Sequence, residues 1–470
     1  MINQKDLYSQ KFMFFFILVL YLMTQHVGLS NPDQSTSIAA FLKIGIKGYE
    51  FFLLDTDDVQ KRNCIWKKKE WLEENIPELL NSKMTLDVES YLKKRIPSSL
   101  FRILQNNSIR LIVAGGLLKD TIRQMPFWGL RPIFGFIQKR DINSKAYLFG
   151  RNKKGEWTLV ITNIFGRDRI THVFLEYAFL FQYLERSFDG LEWQEPENYN
   201  EITGELCAGA LSSIDVRPDD IVVFGYQSSF NVFAWYLQKF SEAYFLNKKI
   251  KWSLEEFRQF KKSLPRPNLF PRPVVRGNDA FPYWEYEICL PCKHKVRKTS
   301  DVICSSKKNI RFLSWRNVYG DAAGSLIAEL LKKGIRRFIV FGNAGTLNFQ
   351  YPIGKIIAPT SVNSNNASYV IPNQATKFYS PGKVVGVRSI LEESRAWLNN
   401  AQHSNDLVEV EHASIANSLI GWENIFFFSG LVVSDHPGRL DITKFQESTP
   451  EILEAKDTFF FEAIKSAIDY

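Results

Sequence analysis

Along the second half of the chain the spacing of apolar positions switches between a helical and a strand period, and the switches mark successive elements. Ala322, Leu326 and Leu330, with Ala323, Ile327 and Leu331, recur at helical spacing and form one broad apolar face. Asp321 precedes them as an N-cap, and Gly334 follows as a stop that tolerates left-handed backbone. Lys332 and Lys333 suit the negative end of the helix dipole. The next run, residues 337–341, is dominated by apolar residues and predicts a buried strand ending in the bend Gly342-Asn343-Ala344-Gly345. A helix feeding a parallel strand with a glycine-rich end is one βαβ element. Ligands in such sheets bind beyond the carboxyl ends of the strands, so this bend is a candidate ligand edge.

The first half shows the same alternation without a fixed repeat. Trp66, Trp71, Leu72, Ile76, Leu79 and Leu80 lie at helix-like intervals and predict a helix over 63–80. The runs 110–116 and 220–225 read as buried strands, because β-branched residues stop abruptly at Gly115-Gly116 and at Gly225. No phosphate-loop pattern surrounds those glycines, so they carry no chemistry in this reading. Residues 264–273 hold four prolines in ten positions, which excludes a helix or an inner strand. They are read as a linker, or as a strap lying over one domain.

Length and composition then set the class. A chain of 470 residues exceeds what one hydrophobic core supports, so two domains are expected. With 45% hydrophobic and 23% charged residues it reads as an ordinary globular protein. The formal charge is +9, but the basic residues are scattered and the densest runs are short, so no nucleic-acid partner is expected. Residues 12–23 form an uncharged apolar run behind Lys5 and Lys11, with Gly28, Leu29 and Ser30 downstream. This is the layout of a cleaved secretory signal peptide; an uncleaved membrane anchor at 12–23 and a buried helix are the alternatives. The expected location is therefore secreted or periplasmic, or membrane-anchored through the N-terminus. Five cysteines are too few for a disulfide scaffold, and Cys289 and Cys292 have no second pair to complete a zinc site, so no metal is expected.

Further motifs extend the pattern from the helix at 321. The succession GDAAGSLIAELLKKGIRRFIVFGNAGTLN, followed by PIGKIIAPTSV, resembles the helix, strand, G-x-x-G turn and Pro-Thr strand of the nucleoside phosphorylase and nucleosidase superfamily. The stretch Pro381–Ser389 resembles that family's strand near the base. Val408-Glu409-Val410-Glu411 resembles its V-x-M-E segment, with Val410 where methionine is usual. The run 425–437, ending in Ser434-Asp435-His436, resembles its Ser-Asp strand, and Glu462 with its neighbours fits the closing helix. The resemblance covers only the C-terminal part. It implies a mixed α/β sheet flanked by helices, preceded by a second α/β or α+β domain of unknown type. The expected division is a leader at 1–30, an N-terminal domain at 31–264, a linker at 265–273 and a nucleoside phosphorylase-like domain at 274–470. The family's opening strand should precede residue 310.

The same resemblance implies cleavage of the N-glycosidic bond of a purine-type nucleoside. Asp435 corresponds to the carboxyl that protonates the leaving base, and Glu411 to the one that holds ribose hydroxyls; Glu409 competes for that place. Val410, Ser434, Gly342, Asn343 and Ser389 complete the implied substrate contacts. Phosphorylases of this family carry an arginine where this chain has Val340, so hydrolysis is favoured over phosphorolysis unless Arg316 or Arg439 replaces it. No cofactor is implied beyond inorganic phosphate for a phosphorolytic enzyme. Relatives are trimers, hexamers or dimers, which implies a homo-oligomer. A non-catalytic nucleoside-binding protein on the same fold is the alternative function.

Overall fold

The computed structural model describes residues 49–53, 65–70, 75–106, 109–138, 145–247, 249–264, 273–278, 280–295, 303–316, 318–364, 367–438 and 450–470. The expected leader and anchor segment, most of the proline-rich linker and Arg439 lie outside them. Among the described residues, no helix is long and apolar enough to cross a membrane.

Two sheets carry the fold. The first comprises β1 (Tyr49–Leu53), β2 (Trp66–Lys69), β3 (Arg110–Ala114), β4 (Arg131–Gln138), β5 (Ala146–Arg151), β6 (Trp157–Thr162) and β7 (Leu191–Pro196), in the order β1-β4-β5-β6-β3-β7-β2. The helix expected over 63–80 is therefore only partly present. Trp66–Lys69 pairs with β7 as an edge strand that carries three lysines, and among the described residues the helix covers Ile76–Leu80 with Pro77 in its first turn.

The second sheet contains β8 (Ile221–Phe224), β9 (Val274–Arg276), β10 (Tyr283–Lys295), β11 (Ile303–Trp315), β12 (Arg337–Thr346), β13 (Ile356–Ser364), β14 (Ala367–Val370), β15 (Ser380–Gly386), β16 (Leu407–Glu409) and β17 (Phe426–Asp435). Its order is β14-β13-β15-β16-β12-β8-β11-β10-β9, with β17 pairing with β12 and β13. Apolar clusters cover both of its faces, which accounts for the near-continuous apolar runs of β8, β12 and β17. β8 lies between β12 and β11, parallel to both. This central strand precedes the proline-rich segment, so 265–273 does not separate the two sheets: the second sheet draws on residues from both sides of it.

The two sheets share a plan that the sequence conceals. In the first, β4-β5-β6-β3-β7 runs through two antiparallel pairings and then two parallel ones. In the second, β9-β10-β11-β8-β12 repeats those neighbours and directions in the same chain order. Each block contains one helix between the corresponding strands, Arg167–Tyr183 in the first and Asp321–Lys332 in the second.

These two helices meet at their N-termini. Asp321 is not the N-cap of its own helix, a place taken by Gly320; its carboxylate instead accepts from the backbone N–H groups of Arg167 (2.8 Å) and Asp168 (3.1 Å) on the other helix. Asp168 returns the contact by accepting from the N–H of Asp321 at 2.9 Å. Each helix thus supplies a carboxylate to the unpaired donors of its counterpart. Gly320, at φ 54°, leaves no room for a side chain: a Cβ would lie 2.4 Å from Asp168 Cβ. The 389–395 segment makes a second junction. Leu391 is buried in the first core, Thr85 N donates to Glu393 O (3.0 Å), and Arg395 N donates to Lys83 O (2.7 Å).

Candidate functional site

A cavity of about 430 Å³ opens at the carboxyl ends of β8, β12 and β17, in the ordinary range of ligand sites (roughly 300–1,000 Å³). Its position follows from close backbone approach. β12 does not stop at Phe341 but continues through the glycine-rich bend to Thr346, and its register against β17 shifts between Ala344 and Gly345. A Cβ on Gly345 would lie 2.9 Å from Pro437 and 3.0 Å from Val408. Glycine there lets the bend, β16 and the turn after β17 converge.

Gly342, Asn343, Val410, Glu411 and Asp435 all line this cavity, although they come from separate parts of the chain. Ser434 stands behind Asp435, donating to its Oδ1 at 2.9 Å. Ser389 does not line the cavity. Its hydroxyl accepts from Leu391 N (3.0 Å) and lies 2.7 Å from His172 Nδ1, fixing a side chain that does. Val340 contributes apolar wall where the resemblance implies an arginine in phosphorylases, while Arg316 also lines the cavity. Among the described residues no cluster could hold a metal ion, and Cys289 is a free thiol in β10.

The carboxyls are held in different protonation states. Asp435 is 5% exposed, and burial raises its pKa to about 6 against the opposing hydrogen bond from Ser434. Glu393 is pushed well above the usual carboxylate range by burial, then by the neighbouring charges of Asp435 and Glu392. Glu411 is raised for the same kind of reason, burial first and the Glu409 charge second. Burial also opposes ionisation of Glu409, but His412 and the donors around it outweigh that effect and bring its pKa down to about 2. The geometry agrees: Glu409 accepts from the N–H groups of Glu411 (2.7 Å) and His412, and His412 Nδ1 lies 3.0 Å from its Oε1. Glu409 is therefore the fixed anion, and Glu411, hydrogen-bonded to it side chain to side chain, is the carboxyl held toward its neutral form at the cavity wall. Asn343 Oδ1 is buried and has no hydrogen-bond partner among the described residues.

Other wall residues carried no motif. The helix Val88–Arg95 brings Tyr91 and Arg95, and the helix Arg167–Tyr183 brings Arg169 and His172. Glu393, Tyr319, Gln227 and Lys456 also line the cavity. His172 bonds Tyr91 Oη at 3.2 Å and lies 3.3 Å from Glu176; burial drops its pKa to about 4, so it is neutral. Lys456 sits 3.7 Å from the centre of the Tyr226 ring, and burial lowers its pKa to about 8. Gly225, read only as a turn from the sequence, also lines the cavity. The signal that could have singled it out is the strand-glycine-helix order, now seen to end a central strand.

No protein-family model matches the chain, and no curated protein matches it. Among solved structures it is similar to futalosine hydrolase of Helicobacter pylori strain 26695, with 9% identity over 53% of this chain and 98% of that one, at a TM-score of 0.35. It is also similar to the 5'-methylthioadenosine/S-adenosyl homocysteine nucleosidase of Campylobacter jejuni, with 13% identity, 53% and 99% coverage and a TM-score of 0.33. The corresponding Neisseria meningitidis nucleosidase, in complex with methylthio-immucillin-A, matches at 14% identity, 53% and 99% coverage and a TM-score of 0.34.

Proposed function

We propose that the chain hydrolyses the N-glycosidic bond of a purine-type nucleoside. The observation that supports this most is the convergence of the asparagine bend, Glu411 and Asp435 on one cavity, as the sequence resemblance implies. Bond cleavage leaves electron density on the departing base, and a carboxylic acid beside it relieves that charge by donating a proton. Asp435, with a pKa near 6, is an effective donor close to neutrality. Glu411 in its neutral form gives its proton to Glu409 and accepts from a ribose hydroxyl through its other oxygen, and the fixed charge of Glu409 beside it favours positive charge growing on the sugar. The unpartnered Asn343 Oδ1 accepts from the attacking water.

Water is favoured over phosphate because Val340 stands where phosphorylases carry the arginine; Arg316, which also lines the cavity, is the guanidinium that would make phosphate the acceptor, and the phosphate arm of the test separates the two. The test is incubation of the purified protein with adenosine, inosine and methylthioadenosine, with and without phosphate. Free base released without phosphate is the expected result. Base released only with phosphate would establish a phosphorylase, and tight binding without turnover would establish a binding protein.

A further inference from the structure

We propose that residues 110–196 are a degenerate second copy of the unit at 221–346, seated against it as the partner in a two-fold dimer would be, and that their role is to complete the cavity, so that one chain forms the whole site. The repeated strand plan is matched by a repeated segment. Asn163-Ile164-Phe165-Gly166-Arg167-Asp168 follows β6, Asn317-Val318-Tyr319-Gly320-Asp321 follows β11, and each leads into the helix of its block. Gly166 and Gly320 hold the same place, as N-caps with positive φ of 85° and 54°. Neither leaves room for a side chain: a Cβ on Gly166 would lie 2.5 Å from Asp321 Oδ1, just as one on Gly320 would meet Asp168.

The contacts between the two segments run in both directions. Asp321 accepts from the N–H groups of Arg167 and Asp168, and Asp168 accepts from that of Asp321. Phe165 is buried in the apolar cluster of the second sheet, with its ring centre 5.7 Å from that of Phe281. Tyr319, its counterpart, lies against the helix of the first block, its ring centre 5.3 Å from that of His172 and 5.1 Å from the Arg169 guanidinium carbon. An exchange in which one residue meets a second and the second's equivalent meets the first's is the mark of an isologous contact, which in an oligomer joins two identical chains. Here one chain supplies both sides. The surface through which two copies of the unit would pair is therefore already covered.

The same contact reaches the cavity. The helix Arg167–Tyr183 brings Arg169 and His172 into the wall from the turns next to the reciprocal caps. The helix Val88–Arg95, joined to it by Tyr91 Oη and His172 Nε2 at 3.2 Å, adds Tyr91 and Arg95. His172 Nδ1 lies 2.7 Å from Ser389 Oγ, and Ser389 begins the segment whose Ile390 and Glu393 line the same cavity. Without the first block the cavity would lose this side and open to water.

Three measurements test this, of which the first two rest on the nucleoside reading above. The first follows base release from adenosine as the protein is diluted about a hundredfold, with its mass followed by sedimentation. The rate per chain is expected to stay constant and to reside in the single-chain species; release that falls on dilution would overturn the proposal. The second removes wall from the first block. Arg169→Met or Arg95→Met, each combined with Asp435→Asn, should weaken calorimetric adenosine binding about tenfold relative to Asp435→Asn alone. Mixing Arg169→Met with Asp435→Asn chains should release no more base than the two do separately. Unchanged affinity in both arginine variants, or recovery on mixing, would overturn the proposal, because the wall would then be idle or supplied by another chain. The third needs no ligand. Gly166→Ala and Gly320→Ala should lower Tm by similar amounts, and together by clearly less than the sum, because both break one junction. Asp168→Asn and Asp321→Asn, which keep side-chain volume, repeat this comparison should the glycine variants fail to fold. Additive losses, or no loss on the first-block side, would overturn the two-fold contact. If the junction behaves as one unit but no nucleoside is bound or cleaved, the composite cavity stands and the nucleoside reading fails.

Discussion

The two sheets each contain five strands with the same neighbours and directions, yet among the described residues their strand ends differ: a cavity opens at those of the second. In the first, the carboxyl end of β3 is filled: a Cβ on Gly115 would lie 2.8 Å from the Tyr199 ring, and the Tyr199 hydroxyl donates to Ile164 O at 2.7 Å. In the second, the equivalent end of β8 reaches Gly225 and the cavity. Chain continuation separates the two outcomes. After β12 the second sheet gains β13 to β17, which carry Glu409, Glu411 and Asp435 to the edge, whereas after β7 the described chain passes into the helix Tyr199–Ala210, whose first residue plugs the gap. A shared strand plan therefore does not confer a site. It supplies an edge, which later segments either furnish or close.

The first sheet nonetheless contributes to the second sheet's cavity through helices that present Arg95, Arg169 and His172. The largest expected effect breaks the chemistry on the open side. Asp435→Asn should lower kcat by about a thousandfold, within the roughly 10²–10⁴ range of general acid catalysis, while most substrate affinity remains. Unchanged turnover in that variant would remove Asp435 from the acid role.

The next effect breaks the junction. Gly320→Val would place a β-branched side chain at φ 54° against Asp168 and should cost about 3 kcal/mol or more in denaturant unfolding. Loss of stability below about 1 kcal/mol would mean that the reciprocal helix contact contributes little.

Protonation gives a graded test. Burial raises Asp435 to about 6, and burial followed by the Asp321 charge raises Asp168 to about 7. A carboxyl whose folded pKa exceeds its unfolded value stabilises the fold most below the unfolded value, and that contribution is lost as pH rises through the folded one. These two carboxyls should therefore withdraw stability between about pH 4 and pH 7, partly offset by His172, whose lowered pKa of about 4 returns stability over the same interval; base release should fall as pH rises past about 6, because the acid form of Asp435 disappears. Rates that climb through that interval would contradict the acid assignment.

The smallest effect concerns the closed side. Tyr199→Phe removes one buried hydroxyl and should cost about 1 kcal/mol with KM and kcat unchanged. A clear change in KM would show that the filled edge is coupled to the open one.

The contrast between the sheets also explains what the sequence disclosed. The helix at 321, the strands at 337 and 426 and the residues Asn343, Glu411 and Asp435 were legible because short motifs sit at the ends of strongly apolar runs. The place of β8 was not, because its partners β11 and β12 lie far along the chain and local periodicity contains no pairing information. Asp321 was misread as an N-cap for a related reason: its acceptors' partners are N–H groups of a helix more than a hundred residues earlier. Arg95, Arg169 and His172 sit on helices whose spacing speaks only of packing, so their part in the cavity appears only once the two sheets are seen together.

Release of free base in phosphate-free buffer, compared between the unaltered chain and Asp435→Asn, bears most directly on the site. The account predicts steady release that the substitution abolishes, with no requirement for phosphate. Equal release by both proteins, or none by the unaltered chain from adenosine, inosine or methylthioadenosine, would contradict it.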